Sequence, residues 1–201
     1  MDIQEHIITE SDNLFCQYGI KSVTMADIAS KLGISKKTIY QHFKDKNALV
    51  VEILRNKLSD QGCKMHENAS QSANAVHELL SAVTLTRALL SKMNPTLFYD
   101  LQKYHPLAWK EFRIFREKAL YEVIFENLKR GVQEGHYRPE INLPILTRMR
   151  IEQIDMIFNQ VVYPVSEFNL SQVITEITEH FLYGICTPQG HELISKYKQI
   201  I

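Results

Sequence analysis

Cysteine is scarce in this 201-residue chain: Cys16, Cys63 and Cys186 are the only three. They are far apart, odd in number and contain no C-x-x-C, which excludes a disulfide framework and a zinc ribbon. Buried free thiols are the expectation. Glycine is scarce too, with seven residues, and no P-loop, G-x-G-x-x-G or G-x-S-x-G occurs. The histidines, His6, His42, His66, His77, His105, His136, His180 and His191, form no H-E-x-x-H, and none pairs with a cysteine at metal spacing. The carboxylates Glu176 and Glu179 read as a solvated helix face. No catalytic residue, metal or cofactor is therefore expected, and the chain is not read as an enzyme. An excess of charge is also missing: 23 Lys and Arg balance 23 Asp and Glu. The whole chain is no polycation, so any nucleic-acid contact must be local. No apolar run approaches the ~18 residues of a membrane span. The start, M-D-I-Q-E-H, is acidic with no apolar stretch, which argues against a signal peptide. No membrane partner is expected, and the cytoplasm is the expected compartment. Strand-like alternation, internal repeats and low-complexity segments are missing as well. All six prolines lie after residue 94.

What is present is concentrated between Phe15 and Leu49. Thr24 reads as an N-cap for a short helix from Met25 to Leu32, whose apolar stripe is Ile28, Ala29 and Leu32. Gly33 stands where a tight turn requires a left-handed residue, and Ile34 plugs that turn into the core. Ser35 caps a second helix, Lys36 to Phe43. Two short helices joined at a steep angle by a glycine turn form a helix-turn-helix. On the second helix Ile39 and Phe43 share the inward face. The outward face carries Lys37, Thr38 and Gln41, flanked by Tyr40 and His42, and has no aliphatic side chain. These are residue types that read base edges or hold phosphates. The segment from Lys21 to Lys46 holds six lysines (Lys21, Lys31, Lys36, Lys37, Lys44 and Lys46) against Asp27 and Asp45. A local positive patch on a neutral chain suits a polyanion.

The run Phe15, Gly19, Thr24, Met25, Ile28, Ala29, Leu32, Gly33, Ile34, Ser35, Thr38, Ile39, Tyr40, Phe43, Lys46 and Leu49 closely resembles the DNA-binding domain of TetR-type transcriptional regulators. The resemblance covers roughly the first quarter of the chain. It implies an all-α fold: an N-terminal three-helix helix-turn-helix domain followed by a larger helical ligand-binding and dimerisation domain. The boundaries are 1–46 for the DNA-binding domain and 47–201 for the effector-binding and dimerisation domain. Lys37, Thr38 and Gln41 are assigned to bases. Thr24, Ser35, Lys36, Tyr40, His42 and Lys46 are assigned to phosphates, with the roles of Thr24, Tyr40, His42 and Lys46 implied by the resemblance. The chain departs from many relatives in its acidic first residues, which leave few donors for phosphate.

The rest reads as helices. The first spans 2 to 18 and ends at Gly19. A fourth begins at Lys46 behind the cap Asp45 and buries Leu49, Val50, Ile53, Leu54 and Leu58. The polar run Ser59 to Asn74 reads as a fraying end and loop. Helices are then expected at about 74–92, 95–104, 107–134, 143–162, 169–186 and 188–200. In the longest of these, Gly131 and Gly135 loosen the end and Pro139 stops it. The pair at about 143–162 and 169–186 is the expected homodimer contact, since the resembling family pairs its last two long helices. A dimer also fits the physics, because two heads on a palindromic double-stranded operator multiply phosphate contacts and fix register. An effector pocket is expected among Phe98, Tyr99, Tyr104, Trp109, Phe112 and Arg116, with Arg87, His105 and Gln153 as further polar candidates. It would take a small amphipathic or hydrophobic molecule. The expected function is a dimeric repressor released from DNA by that ligand. Two alternatives are a DNA-binding structural or division-linked protein of the same fold without an effector, and a helical enzyme or carrier with an incidental helix-turn-helix.

Overall fold

The computed structural model describes residues 2–199. Its elements are α1 (Ile3–Tyr18), α2 (Met25–Leu32), α3 (Lys36–His42), α4 (Lys46–Gln71), α5 (Ala75–Leu90), α6 (Leu97–Tyr104), α7 (Pro106–Phe115), a π-helical segment (Arg116–Leu120), α8 (Tyr121–Gln133), α9 (Leu143–Met156), α10 (Leu170–Ile185) and α11 (Pro188–Lys198). The fold is all-α. Among the described residues the β pairing is a single bridge between Tyr137 and Cys186. The expected final helix to residue 200 ends at Lys198, and Ile200 lies outside the described residues.

The chain divides into two compact units, residues 1–60 with 92–115 and residues 61–91 with 116–201. The first is built around Ile7, Phe15, Ile28, Ile39 and Leu49, all almost fully buried, joined by Val50, Ile53, Leu97, Leu101 and Ala108. This grouping differs from the expected division at 46/47. The first turns of α4 complete the core of the helix-turn-helix, and α6 is tied to it by polar bonds as well. The backbone N–H of Lys21 donates to Asp100 Oδ2 at 2.8 Å, and that of Asn94 donates to the Cys16 carbonyl at 2.7 Å. Hydrophobic spacing marks which residues of α6 are buried, but not which partner buries them.

The second unit packs α5, α8, α10 and α11 around Val76, Leu128, Tyr137, Leu182, Ile185 and Ile194. Leu90, Ile157, Val173 and Ile174 form a smaller cluster. Gly131 lies inside α8 rather than loosening its end. A Cβ there would stand 2.0 Å from the Tyr137 ring, so the missing side chain is what admits the tyrosine. Tyr137 in turn donates to the Ala75 carbonyl and to Asn127 Oδ1. The helix stops at Gly135, at φ +73°.

Three helices depart from expectation. The polar run from Ser59 continues α4 to Gln71, because its residues face solvent without breaking the helix and contacts such as Gln71 Nε2 to Glu67 Oε1 at 2.9 Å support the last turns. The helix expected to reach 162 ends at Met156. There Asn159 takes over: its side-chain oxygen accepts from the Val161 N–H at 3.0 Å and its carbonyl accepts from Val162 and Tyr163. Such local bonding competes with helix. Finally, α6 opens at Leu97 rather than at Pro95, because Asn94 Oδ1 accepts from the Thr96 N–H and hydroxyl in a turn.

Candidate nucleic-acid interface

The start of α2 is locked by a reciprocal cap. The Asp27 N–H donates to Thr24 Oγ1 at 3.2 Å, while the Thr24 N–H and hydroxyl both donate to Asp27 Oδ2 at 2.7 Å. These bonds, the backbone one first, hold the Asp27 carboxyl below the ordinary carboxylate range. Asp27 was missed as part of the cap, although the T-x-x-D spacing is legible. Thr24 therefore spends its hydroxyl proton on the cap. Its exposed position leaves an oxygen lone pair, but a phosphate needs a donor. In this arrangement its side chain shapes the helix start.

At the other end of α2, Gly33 is left-handed (φ 66°, ψ 27°), with its N–H and that of Ile34 closing the helix onto Ser30 and Ala29 carbonyls. Ser35 Oγ then accepts the Thr38 N–H at 3.1 Å and bonds the Thr38 hydroxyl at 2.9 Å. These local bonds set where α3 starts. Its side chains then sort by burial. Ile39 is 0% and Phe43 4% exposed, whereas Lys36, Lys37, Tyr40, Gln41 and His42 are exposed and Thr38 is half-buried. Among the described residues no hydrogen bond or ion pair uses the side chains of Lys36, Lys37 or Gln41. The expected reading face is thus present as an uncommitted polar surface on a helix anchored by two hydrophobic residues.

Lys46 is not part of that surface. Its ammonium donates to the Ile20 and Val23 carbonyls, each at 2.5 Å, and lies 5.7 Å from the centre of the Phe15 ring. Burial pushes its pKa down, opposed by Asp100 and Asp27. Two of its three N–H donors are thus engaged by the loop between α1 and α2. In this arrangement Lys46 clamps the helix-turn-helix itself. Nothing in the spacing showed this, because the carbonyls it holds belong to backbone some twenty-five residues away.

Of the residues expected to line an effector pocket, Phe98, Tyr99, Tyr104, Trp109 and Phe112 lie in the first unit and Arg116 in the second. Phe98, Trp109 and Phe112 form an aromatic stack in the first unit, with Trp109 to Phe112 at 5.1 Å and Phe98 to Phe112 at 5.5 Å between ring centres. Trp109 also packs on the core of the helix-turn-helix. Tyr99 and Tyr104 are exposed and sandwich Lys103, whose Nζ donates to Tyr99 Oη at 2.6 Å and lies 5.5 Å from the Tyr104 ring centre. On that side α6 faces solvent. Arg116 belongs to the second unit and is taken by Glu152 and by Asp155 at 2.9 Å. Near the start of α7, Asn47, Val51, His105, Pro106, Leu107 and Ala108 line a hollow of about 90 Å³. That is well below the roughly 300 Å³ at which small-molecule pockets begin. His105 Nδ1 meets Asn47 Oδ1 there at 2.6 Å, and burial pushes the imidazole pKa down.

On α9 and α10 the apolar stripes are consumed inside the second unit, with Ile151, Val173, Ile174, Phe181, Leu182 and Ile185 buried. Ile145, Met149 and Tyr183 on these helices stay exposed, as do Val161, Val162, Val165 and Phe168 between them. No described helix is long and apolar enough to cross a membrane.

Residues 7–53 match the family model described as bacterial regulatory proteins, tetR family. The HTH-type transcriptional regulator YvaF of Bacillus subtilis (strain 168) is 25% identical over 187 residues, covering 91% of this chain and 95% of that one. The HTH-type transcriptional repressor KstR2 of Rhodococcus jostii (strain RHA1) is 28% identical over 138 residues, 67% of this chain and 68% of that one. Among solved structures, the transcriptional regulator FadR from Bacillus subtilis in complex with stearoyl-CoA superimposes with a TM-score of 0.69 at 18% identity, over 90% of this chain and 98% of that one. That likeness is one of fold.

Proposed function

Because the chain is a TetR-family transcriptional regulator by its N-terminal domain, we propose that it represses transcription as a homodimer on a palindromic operator and lets go when a small amphipathic ligand binds its larger helical part. The observation that carries this reading is the α3 face: Lys36, Lys37, Tyr40, Gln41 and His42 exposed on a helix that Ile39 and Phe43 fix in place. Lysine suits guanine and glutamine suits adenine in the major groove. Ser35, Lys36, Tyr40 and His42 hold the flanking phosphates, and Lys37, Thr38 and Gln41 read bases.

A single head makes few phosphate contacts, so a second copy is needed for useful affinity at physiological salt. The exposed apolar side chains of α9, α10 and the segment between them, Ile145, Met149, Val161, Val165, Phe168 and Tyr183, support that part of the surface as the pairing region. KstR2 is a repressor by name and FadR was solved with stearoyl-CoA, and both support repression relieved by a small molecule. The ligand acts by favouring a conformation whose two heads no longer match successive major grooves, and the shift equals its differential affinity for the two states. The chain has no catalytic role in this reading, and it works in the cytoplasm.

The test is fluorescence anisotropy of the purified protein on duplexes tiled across the DNA upstream of its own gene, at several salt concentrations, with its mass in solution measured by sedimentation. Tight, salt-dependent and sequence-selective binding by a dimer is expected. Indifference to every duplex in dilute buffer, or selective binding by a monomer, refutes the proposal.

A further inference from the structure

Arg150 lies on the inward face of α9, at helical spacing from Thr147 and Ile154, and is only 5% exposed. Its Nη2 donates to the Thr178 hydroxyl at 2.6 Å, and its guanidinium stands 5.2 Å from the centre of the Phe181 ring. Its Nη1 is buried with no hydrogen-bond partner. No ion pair to it forms among the described residues. Burial draws its pKa down to about 10, which leaves it charged at neutral pH.

Two other arginines of this unit show what a satisfied guanidinium looks like. Arg130 meets Glu134, Glu78 and the carbonyls of Ala69 and Ser72. Arg138 meets Glu140 and the Gly184 carbonyl. Arg150 has one neutral hydroxyl, and that hydroxyl already donates to the Ile174 carbonyl. Tyr137 offers no relief, since its proton goes to Ala75 and Asn127. A planar fork of five donors buried without an anion is costly, and the cost disappears when an oxyanion enters. One turn further along the same face, Gln153 keeps a buried, unpartnered Oε1. The ring of Phe181 is the apolar neighbour of the guanidinium, and Ile151, Ile174 and Leu182 on the same two helices are buried.

We propose that the second unit binds an amphipathic molecule whose oxyanion, a carboxylate or a phosphate, pairs with the Arg150 guanidinium while its apolar part takes the place of core contacts around Phe181. This rests on the effector reading above and names the chemical class of the effector. The missing anion makes the ligand-free arrangement the less stable one. A ligand that supplies it selects the conformer in which the fork is filled, which is the differential affinity that release from DNA requires.

The test uses the full chain and three probes of one chain length, all below their micelle concentrations: dodecanoate, dodecanoyl-coenzyme A and dodecanol. Affinities are read by isothermal titration for the unmodified protein, Arg150→Met and Arg150→Lys. The unmodified protein is expected to prefer one or both anions over the alcohol by about tenfold or more. The carboxylate and coenzyme A arms tell which oxyanion fits. Arg150→Met should lose the preference yet melt at a higher temperature without ligand, and Arg150→Lys should keep part of it. Equal affinity for all three probes, or a preference that survives in Arg150→Met, overturns the inference and leaves the effector reading standing. Binding of no probe overturns both. If Arg150→Met fails to fold, the anion-to-alcohol ratio of the unmodified protein and of Arg150→Lys decides alone.

Discussion

Replacing Lys46 by methionine separates a clamp from a phosphate contact. The substitution keeps most of the stem and removes the ammonium, so the Ile20 and Val23 carbonyls lose their donor. Both residues are themselves nearly fully buried, so water restores the bonds poorly. A hydrogen bond to a charged group contributes about 1.5–3 kcal/mol. Two of them, offset by no longer having to desolvate the half-buried ammonium, give a net loss of about 2–3 kcal/mol. At ~2–4 °C per kcal/mol for a chain of this size, the melting temperature should fall by roughly 5–10 °C. Circular dichroism melts of Lys46→Met measure this directly. The same variant, held at a temperature where it is folded, should show an unchanged dependence of operator affinity on salt. If the melting temperature instead stays put and the slope of log affinity against log salt flattens by about 0.9 per head, about 1.8 for the dimer, the lysine holds a phosphate and the clamp is refuted.

The remaining predictions address the reading helix, the turn and the second unit. Lys37→Ala and Gln41→Ala should each weaken operator binding by about 1–3 kcal/mol and relax specificity at one base pair per half-site. Their exposure means melting should barely change, so anisotropy on operator variants at fixed salt, beside a melt, checks both halves. Gly33→Ala should destabilise the first unit by about 1 kcal/mol or more, because alanine is strained at φ 66°, and Thr24→Ala should cost about 1 kcal/mol through the lost cap. Urea titrations followed by Trp109 fluorescence read both. Asp155 has its pKa raised to about 6, chiefly by burial and despite Arg116. A folded-state value above the unfolded one means the folded chain binds the extra proton there, so the contribution of Asp155 to stability should rise as pH falls from about 7 towards 4, against the opposite contribution of His105. Melts across that range should show a smaller rise in Asp155→Asn, and an identical pH profile in the two proteins would contradict the assignment.

Cap chemistry, a left-handed glycine and apolar spacing are local, and they sufficed to place α2, α3 and their exposed face from the residues alone. Asp45 likewise accepts the N–H of the helix it was expected to open, and Asn142 and Asn169 do the same at the starts of α9 and α10. Where a local competitor was overlooked, boundaries moved: Asn159 ended α9 early, and Gly131 proved to be room for Tyr137 rather than a helix end. Arg150 was legible in principle, as a charge standing on the stripe Leu143, Thr147, Ile151 and Ile154, and was passed over.

The sequence by itself determined the two short helices and the turn between them, because the caps and the turn that shape them span a few residues each. Only tertiary structure decided which donors remain free. Lys46 and Arg116 are charged in any reading of the sequence, yet backbone carbonyls and carboxylates far along the chain have claimed them, while Arg150 has no anion. A side chain's identity fixes its capacity for hydrogen bonds, and the long-range packing of helices fixes whether that capacity is already spent.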